Sequence, residues 1–271
     1  MLERFRRAKE KEIAALMELS ARGAMPRPFT GSRPSFTASL KARAQAGTPA
    51  VIAEYKRASP SRGDINLAVT PEQAAQAYAS AGAAAISVLT EQEYFKGDPT
   101  FLERMTGAGL PLLRKDFILH PLQLDQTAAG PASAALLIAR MLDDPMLRAL
   151  LLRCQALGLE AVVEVFSIED LQRAQAAGAS IIQVNNRNLD DPGRVDLARS
   201  RRLIARKGSN ECWITASGIS CREELTELLG LGFDAALVGS ALMEKGGSGQ
   251  SAPGQRLTRL LSKEPGRKNH G

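Results

Sequence analysis

Several polar residues sit where a buried segment ought to be apolar. In VIAEYKRASPS, Glu54 and Lys56 alternate about Tyr55, so an acid and a base face one side of an extended strand. Lys115 falls at the end of the apolar run in PLLRKDF and Glu164 within AVVEVF, while IIQVNNRNL delivers Asn185, followed by Asn186 and Arg187. Ammonium and carboxylate groups of this kind exchange protons with a substrate and stabilise charge as it develops. Two later segments end on small residues, Ser217-Gly218-Ile219 and Gly239-Ser240, whose backbone N–H groups can approach an anion closely. Together these types offer acid–base chemistry on a phosphorylated small molecule. Little else is available. There are two His, and His270 lies beside Gly271, so His120 is the one spare imidazole. Zinc hydrolysis and Ser-His-Asp catalysis are nearly excluded.

The elements that must position these groups are legible as short aliphatic runs between longer Ala/Leu/Gln/Arg-rich segments. The strand candidates are Ala50–Lys56, Ala85–Leu89, Leu110–Lys115, Ala134–Ala139, Ala161–Val165, Ser180–Asn185, Cys212–Ala216 and Ala235–Val238. Each gap accommodates one crossover helix and little more. Thr70-Pro71-Glu72 reads as a helix start, Ser167 as a cap before LQRAQAAG, and Ser220 to Glu223 as a capping box. Eight strand–helix units predict an α/β fold, a (β/α)8 TIM barrel. An open doubly wound sheet is the alternative, but the turn after the first strand reads RASPSRGD, with no GxGxxG. Residues 1–48 carry two helices, Leu2–Ser20 and Ser35–Ala46, and form an N-terminal helical extension packed on a barrel spanning 49–263. GGSGQSAPG (246–254) reads as a flexible insertion before a last helix, Gln255–Leu261, and 264–271 as a disordered basic tail.

In this topology the polar positions fall at strand C-terminal ends, the face on which such barrels build their sites. Taken singly, each is better explained by a salt bridge plugging the barrel or by a solvated loop residue. Converging from six strands on one rim, they are not, because burying unpaired charge is costly. The net charge of +6 is not a nucleic-acid signal: from Arg256 onward the chain is +4, and aromatics are scarce. Cys154, Cys212 and Cys221 show no CxxC spacing and suit reduced thiols in the cytoplasm. The start has no uninterrupted apolar run, the longest apolar stretch is broken by Arg140, and no membrane partner is expected.

The segments AEYKRASPSRGDI, SVLTEQEYFKGD, PLLRKDFILHPLQ, VEVFSIEDL, NNRNL, SGI and ALVGSALM, in this order, resemble the indole-3-glycerol-phosphate synthase family of tryptophan biosynthesis. The resemblance runs from about Val51 to Met243 and extends to the N-terminal helices. It implies ring closure of 1-(2-carboxyphenylamino)-1-deoxyribulose 5-phosphate to indole-3-glycerol phosphate, with loss of CO2 and water and without a cofactor. On matching positions it implies Lys115 as general acid, Glu164 as the carboxylate of the dehydration, and Glu54 and Asn185 as orienting groups. Lys56 would lie between substrate and phosphate, and Ser59 and Arg187 would bind the anthranilate carboxylate. Ser217, Gly218, Gly239 and Ser240 would cradle the phosphate. Phe117 and Leu136 would wall the aromatic ring, though either could equally be ordinary core. The resemblance also implies a cytoplasmic monomer, with association with other tryptophan-pathway enzymes left open.

The chain departs from the family pattern after the seventh strand, where Glu-Ser-Gly-Ile becomes Ala216-Ser217-Gly218-Ile219. Gln183 stands where Gly is more usual, and by alternation it faces the barrel interior; it is a candidate for part of the role that Ala216 gives up. Phe166 replaces a polar residue. The alternative function is thus a weakly active or non-catalytic homologue that binds the same ligand. A sister barrel such as a phosphoribosylanthranilate isomerase accounts for the phosphate loops but not for AEYKRASPSRG or LRKDF.

Overall fold

All eight aliphatic runs form strands in the computed structural model, which describes residues 2–188, 193–244 and 252–262. The strands, in chain order, are Val51–Tyr55, Ala85–Leu89, Leu112–Lys115, Ala134–Ile138, Glu160–Val165, Ile181–Asn185, Cys212–Ala216 and Ala235–Val238. Each pairs in parallel with its neighbours in sequence, and the first closes on the eighth through Val51 with Ala236 and Ala53 with Val238. The result is a closed (β/α)8 barrel. The third strand begins at Leu112, two residues later than expected, because Pro111 has no N–H for the ladder. Lys56 lies just beyond the first strand, and Ala139 belongs to a 3-10 turn after the fourth.

Helix ends follow their local chemistry. Thr70 caps Pro71–Ala81 in a reciprocal box with Gln73, and Gly82 ends it at φ 93°. Ser167 caps Ile168–Ala176 through the N–H of Asp170. The expected box at Ser220 is displaced by one residue: Cys221 is the cap of Arg222–Gly230, and Glu224 accepts from the Ser220 and Cys221 N–H groups. Ser220 still belongs to the turn that follows the seventh strand, so the helix starts later. The last helix starts earlier than expected, at Pro253 (Pro253–Leu261), since Pro fits a first helical turn. Residues 245–251, most of the expected insertion, and 263–271, with the basic tail, lie outside the described residues.

The two N-terminal helices serve opposite ends of the barrel. Phe36–Gln45 closes the bottom, where Glu160, at the start of the fifth strand, accepts from the N–H groups of Phe36 (2.6 Å) and Thr37 (2.9 Å). Leu2–Ala21 runs past the third strand and reaches the top. Its Lys9 is 3% exposed and pairs with Asp116 at 2.5 Å, while its Glu12 meets Arg114 at 3.2 Å. Among the described residues no helix is long and apolar enough to cross a membrane.

Candidate active site

The RKDF segment shows how sequence alternation builds the site. Arg114 and Asp116 bind each other at 3.0 Å on the helix side of the sheet, where Arg114 also donates to Thr127 Oγ1 (2.9 Å) and Thr90 donates to Asp116 (2.6 Å). Burial alone would raise the Asp116 pKa; Arg114 and Lys9 outweigh it and bring it to about 2. Lys115, between the two, lines the cavity and meets Glu164 Oε2 at 3.3 Å. Buried ion pairs of Arg114 and Asp116 thus flank the lysine, whose ammonium lies in the cavity beside Glu164.

On the first strand, Glu54 is 4% exposed, and its Oε1 pairs with Lys56 Nζ at 2.7 Å. Ser87 Oγ donates to its Oε2 at 3.4 Å, and Tyr78 OH to its backbone carbonyl at 3.2 Å. Burial opposes ionisation, but the charges of Lys56 and Lys115 prevail and hold Glu54 below the usual carboxylate range. Two ammonium groups and two carboxylates therefore meet at the barrel mouth. Asn185 Oδ1 accepts from the Arg187 N–H at 3.0 Å, which fixes the turn leaving the sixth strand.

Two adjoining cavities hold every expected site residue. The first is lined by Glu54, Lys56, Ser59, Lys115, Phe117, Leu136, Glu164, Asn185, Arg187, Ser217 and Ser240, with Ala216 in its wall. The second shares Glu54, Lys56, Arg187, Ser217 and Ser240, and adds Gly218 and Gly239. Ser217 (φ 70°) and Gly218 (φ 86°) form two successive left-handed residues. The Ser217 conformation is strained for a residue with a Cβ, and Asn186, fully buried, supports it by donating to the Ser217 carbonyl at 3.2 Å. A Cβ on Gly218 would run into Val195, and one on Gly239 into the Glu54 carboxylate. The backbone of both loops must therefore stay bare, which leaves room for an oxygen-rich group.

A run of apolar residues missed in the sequence completes the first cavity. Phe5, from the first helix, stacks on Phe117 with centroids 4.3 Å apart and planes at 15°. Phe95 lies 6.1 Å from the same ring, and Leu89 and Leu237 extend the wall. Leu237 was accessible to strand parity, two positions before Gly239. Phe5 had no comparable signal, because helical spacing says which face is buried but not against what. In the second cavity Arg62 pairs with Glu244, joining the first loop to the last. Among the described residues no group of three or more His, Cys, Asp or Glu could hold a metal ion.

A slot with aromatic walls, an acid–base floor and an adjoining small-residue cradle fits the comparison with known proteins. A family model described as indole-3-glycerol phosphate synthase matches residues 2–252. The chain belongs to the indole-3-glycerol phosphate synthase family. Curated relatives of that name include one from Aquifex aeolicus (strain VF5), 43% identical over 82% of this chain and 84% of its own. Another, from Desulfosudis oleivorans, is 44% identical over 74% of this chain and 76% of its own. Among solved structures, an N-acetylmannosamine-6-phosphate 2-epimerase from Clostridium perfringens has a TM-score of 0.57 at 18% identity, covering 80% of this chain and 95% of its own. That last likeness is one of fold. Gln183 is fully buried and its Nε2 donates to Glu164 Oε2, while Ala216 lies in the wall of the same cavity.

Proposed function

We propose that the protein closes the ring of 1-(2-carboxyphenylamino)-1-deoxyribulose 5-phosphate to give indole-3-glycerol phosphate, CO2 and water. The observation that carries this reading is the Lys115–Glu164 pair, 3.3 Å apart, in a cavity that also holds the Lys56–Glu54 pair and opens onto the Ser217–Ser240 cradle. The bare backbone of Gly218 and Gly239 takes the phosphate with Ser217 and Ser240, and Lys56 balances its charge. Ser59 and Arg187 hold the anthranilate carboxylate, while Phe117 and Leu136, with Phe5, flatten the ring against the wall.

In the first step the ring carbon bearing the carboxylate attacks the ribulose carbonyl, and Lys115 delivers a proton to the oxygen as its charge builds. The carboxyl group leaves as CO2, and its electron pair restores the aromatic ring. The new hydroxyl then leaves as water: its C–O bond breaks as it takes up a proton, the adjacent nitrogen-bearing methylene gives up a proton, and the ring C=C bond forms, with Glu164 moving a proton and Glu54 and Asn185 holding the neighbouring hydroxyls and ring nitrogen. No step asks for a metal or organic cofactor. Unpaired Cys154, Cys212 and Cys221 support a reducing, cytoplasmic setting. Exposed large apolar side chains are few and scattered among the described residues, which supports a monomer without settled contacts to other enzymes of tryptophan biosynthesis. Purified protein mixed with the ribulotide should develop indole fluorescence at a rate proportional to enzyme. No product above that of a Lys115→Ala control would end this reading.

A further inference from the structure

Gln183 is fully buried inside the barrel, in register with Glu164 on the neighbouring strand. Its Nε2 donates to Glu164 Oε2 at 2.5 Å, while its Oε1, also buried, has no hydrogen-bond partner among the described residues. The amide must point this way, since turning it over would set its carbonyl oxygen against a carboxylate oxygen. A buried amide with its acceptor unused costs stability, and a Met or Leu of similar volume would avoid that cost. The single bond that Gln183 does make is therefore what its polarity supplies.

Glu164 Oε2 has two partners among the described residues, Lys115 Nζ at 3.3 Å and Gln183. The wall position at Ala216 offers no side-chain polar group. Lys115 has to leave this pairing, at least in part, to reach the ribulose carbonyl and give up a proton. Once it does, Gln183 is the side chain left to hold Oε2, and with it the direction in which Oε1 faces the cavity.

We propose that Gln183 is a positioning residue, locking the Glu164 carboxylate in its proton-transfer geometry while Lys115 is engaged with the substrate. The inference rests on the synthase reading above. The acceptor is a carboxylate oxygen, so loss of the bond is expected to cost more than that of an amide–amide pair.

The test is a double-mutant cycle in steady-state kinetics on the ribulotide, with wild type, Gln183→Met, Glu164→Gln and the double variant. Gln183→Met keeps the volume and removes the donor; Gln183→Leu provides a second apolar version should Met pack poorly. The expected result is a fall in kcat of about 10- to 100-fold with little change in KM, and a melting temperature no lower than wild type. In the Glu164→Gln background, Gln183→Met should cost nothing further, because the residue acts through that carboxylate. Wild-type kcat in folded Gln183→Met, or the same fold loss in both backgrounds, overturns the proposal. Absence of turnover in the wild type is a different result, since it overturns the synthase reading itself.

Discussion

Gly239→Ala tests the link between the phosphate cradle and the acid–base groups. A Cβ at this position would overlap Glu54 Oε1 and lie 3.1 Å from Glu54 Cβ and Cδ. The φ of Gly239 is −124°, outside the left-handed region, so the methyl acts by contact and not by backbone strain. To restore ordinary separation the carboxylate must retreat by about 1 Å, and the move takes it off the 2.7 Å ion pair with Lys56. Displacing a positioned group by about 1 Å costs on the order of 100-fold in rate. Overpacking adds about 1–3 kcal/mol of destabilisation, a drop of a few degrees in melting temperature for a chain of this size. Fluorescence-monitored kinetics should therefore show kcat lowered on the order of 100-fold, with a fold that still melts cooperatively. An alanine variant with wild-type kcat and KM would refute the reasoning, because Glu54 would then have no fixed place beside the cradle.

Three other outcomes follow from the same geometry. Phe5→Ala, which removes the ring stacked on Phe117, should raise KM about 3- to 10-fold with a smaller effect on kcat; unchanged KM would remove the first helix from the binding site. Asp116→Ala leaves the buried Lys9 and Arg114 with Glu12 as their remaining carboxylate partner among the described residues and should cost about 3 kcal/mol in urea denaturation. In the wild type, folding depresses the Asp116 pKa to about 2, so its contribution to stability is complete above the unfolded value of about 3.9. That contribution disappears as pH falls through about 2, and the acid limb of a stability–pH curve should flatten in the variant. Finally, Ala216→Glu adds a carboxylate to a cavity already lined by Glu54, Glu91, Asp116 and Glu164. It should leave kcat unchanged or lower, and a rise of about ten-fold or more would show that the missing acid limits turnover.

The barrel was legible because parallel strands buried on both faces are short aliphatic runs, and the helices between them carry strong caps at Thr70 and Ser167. The inward-facing charges were legible for the complementary reason: Glu54, Lys115 and Glu164 break such runs at the ends where the barrel opens. Parity also put Gln183 inside, but not its partner, since alternation gives a face and not a hydrogen bond. Contacts between segments distant in sequence were harder to read. Phe5 reaches Phe117 because Lys9 and Glu12 dock the first helix against Arg114 and Asp116, a charge network between segments that sequence spacing does not connect. Arg62 with Glu244 is a pair of the same kind, joining loops from opposite ends of the chain.

The central claim is that Lys115 and Glu164 perform the chemistry while the Ser217–Ser240 cradle only holds the phosphate. Its most direct test measures Lys115→Ala twice, once for turnover of the ribulotide and once for binding of an analogue whose ribulose carbonyl is reduced to an alcohol. The account predicts a loss of about 10²- to 10⁴-fold in kcat, with the dissociation constant of the analogue within about ten-fold of wild type. Turnover retained within about ten-fold of wild type, or loss of analogue binding as large as the loss of rate, would contradict it.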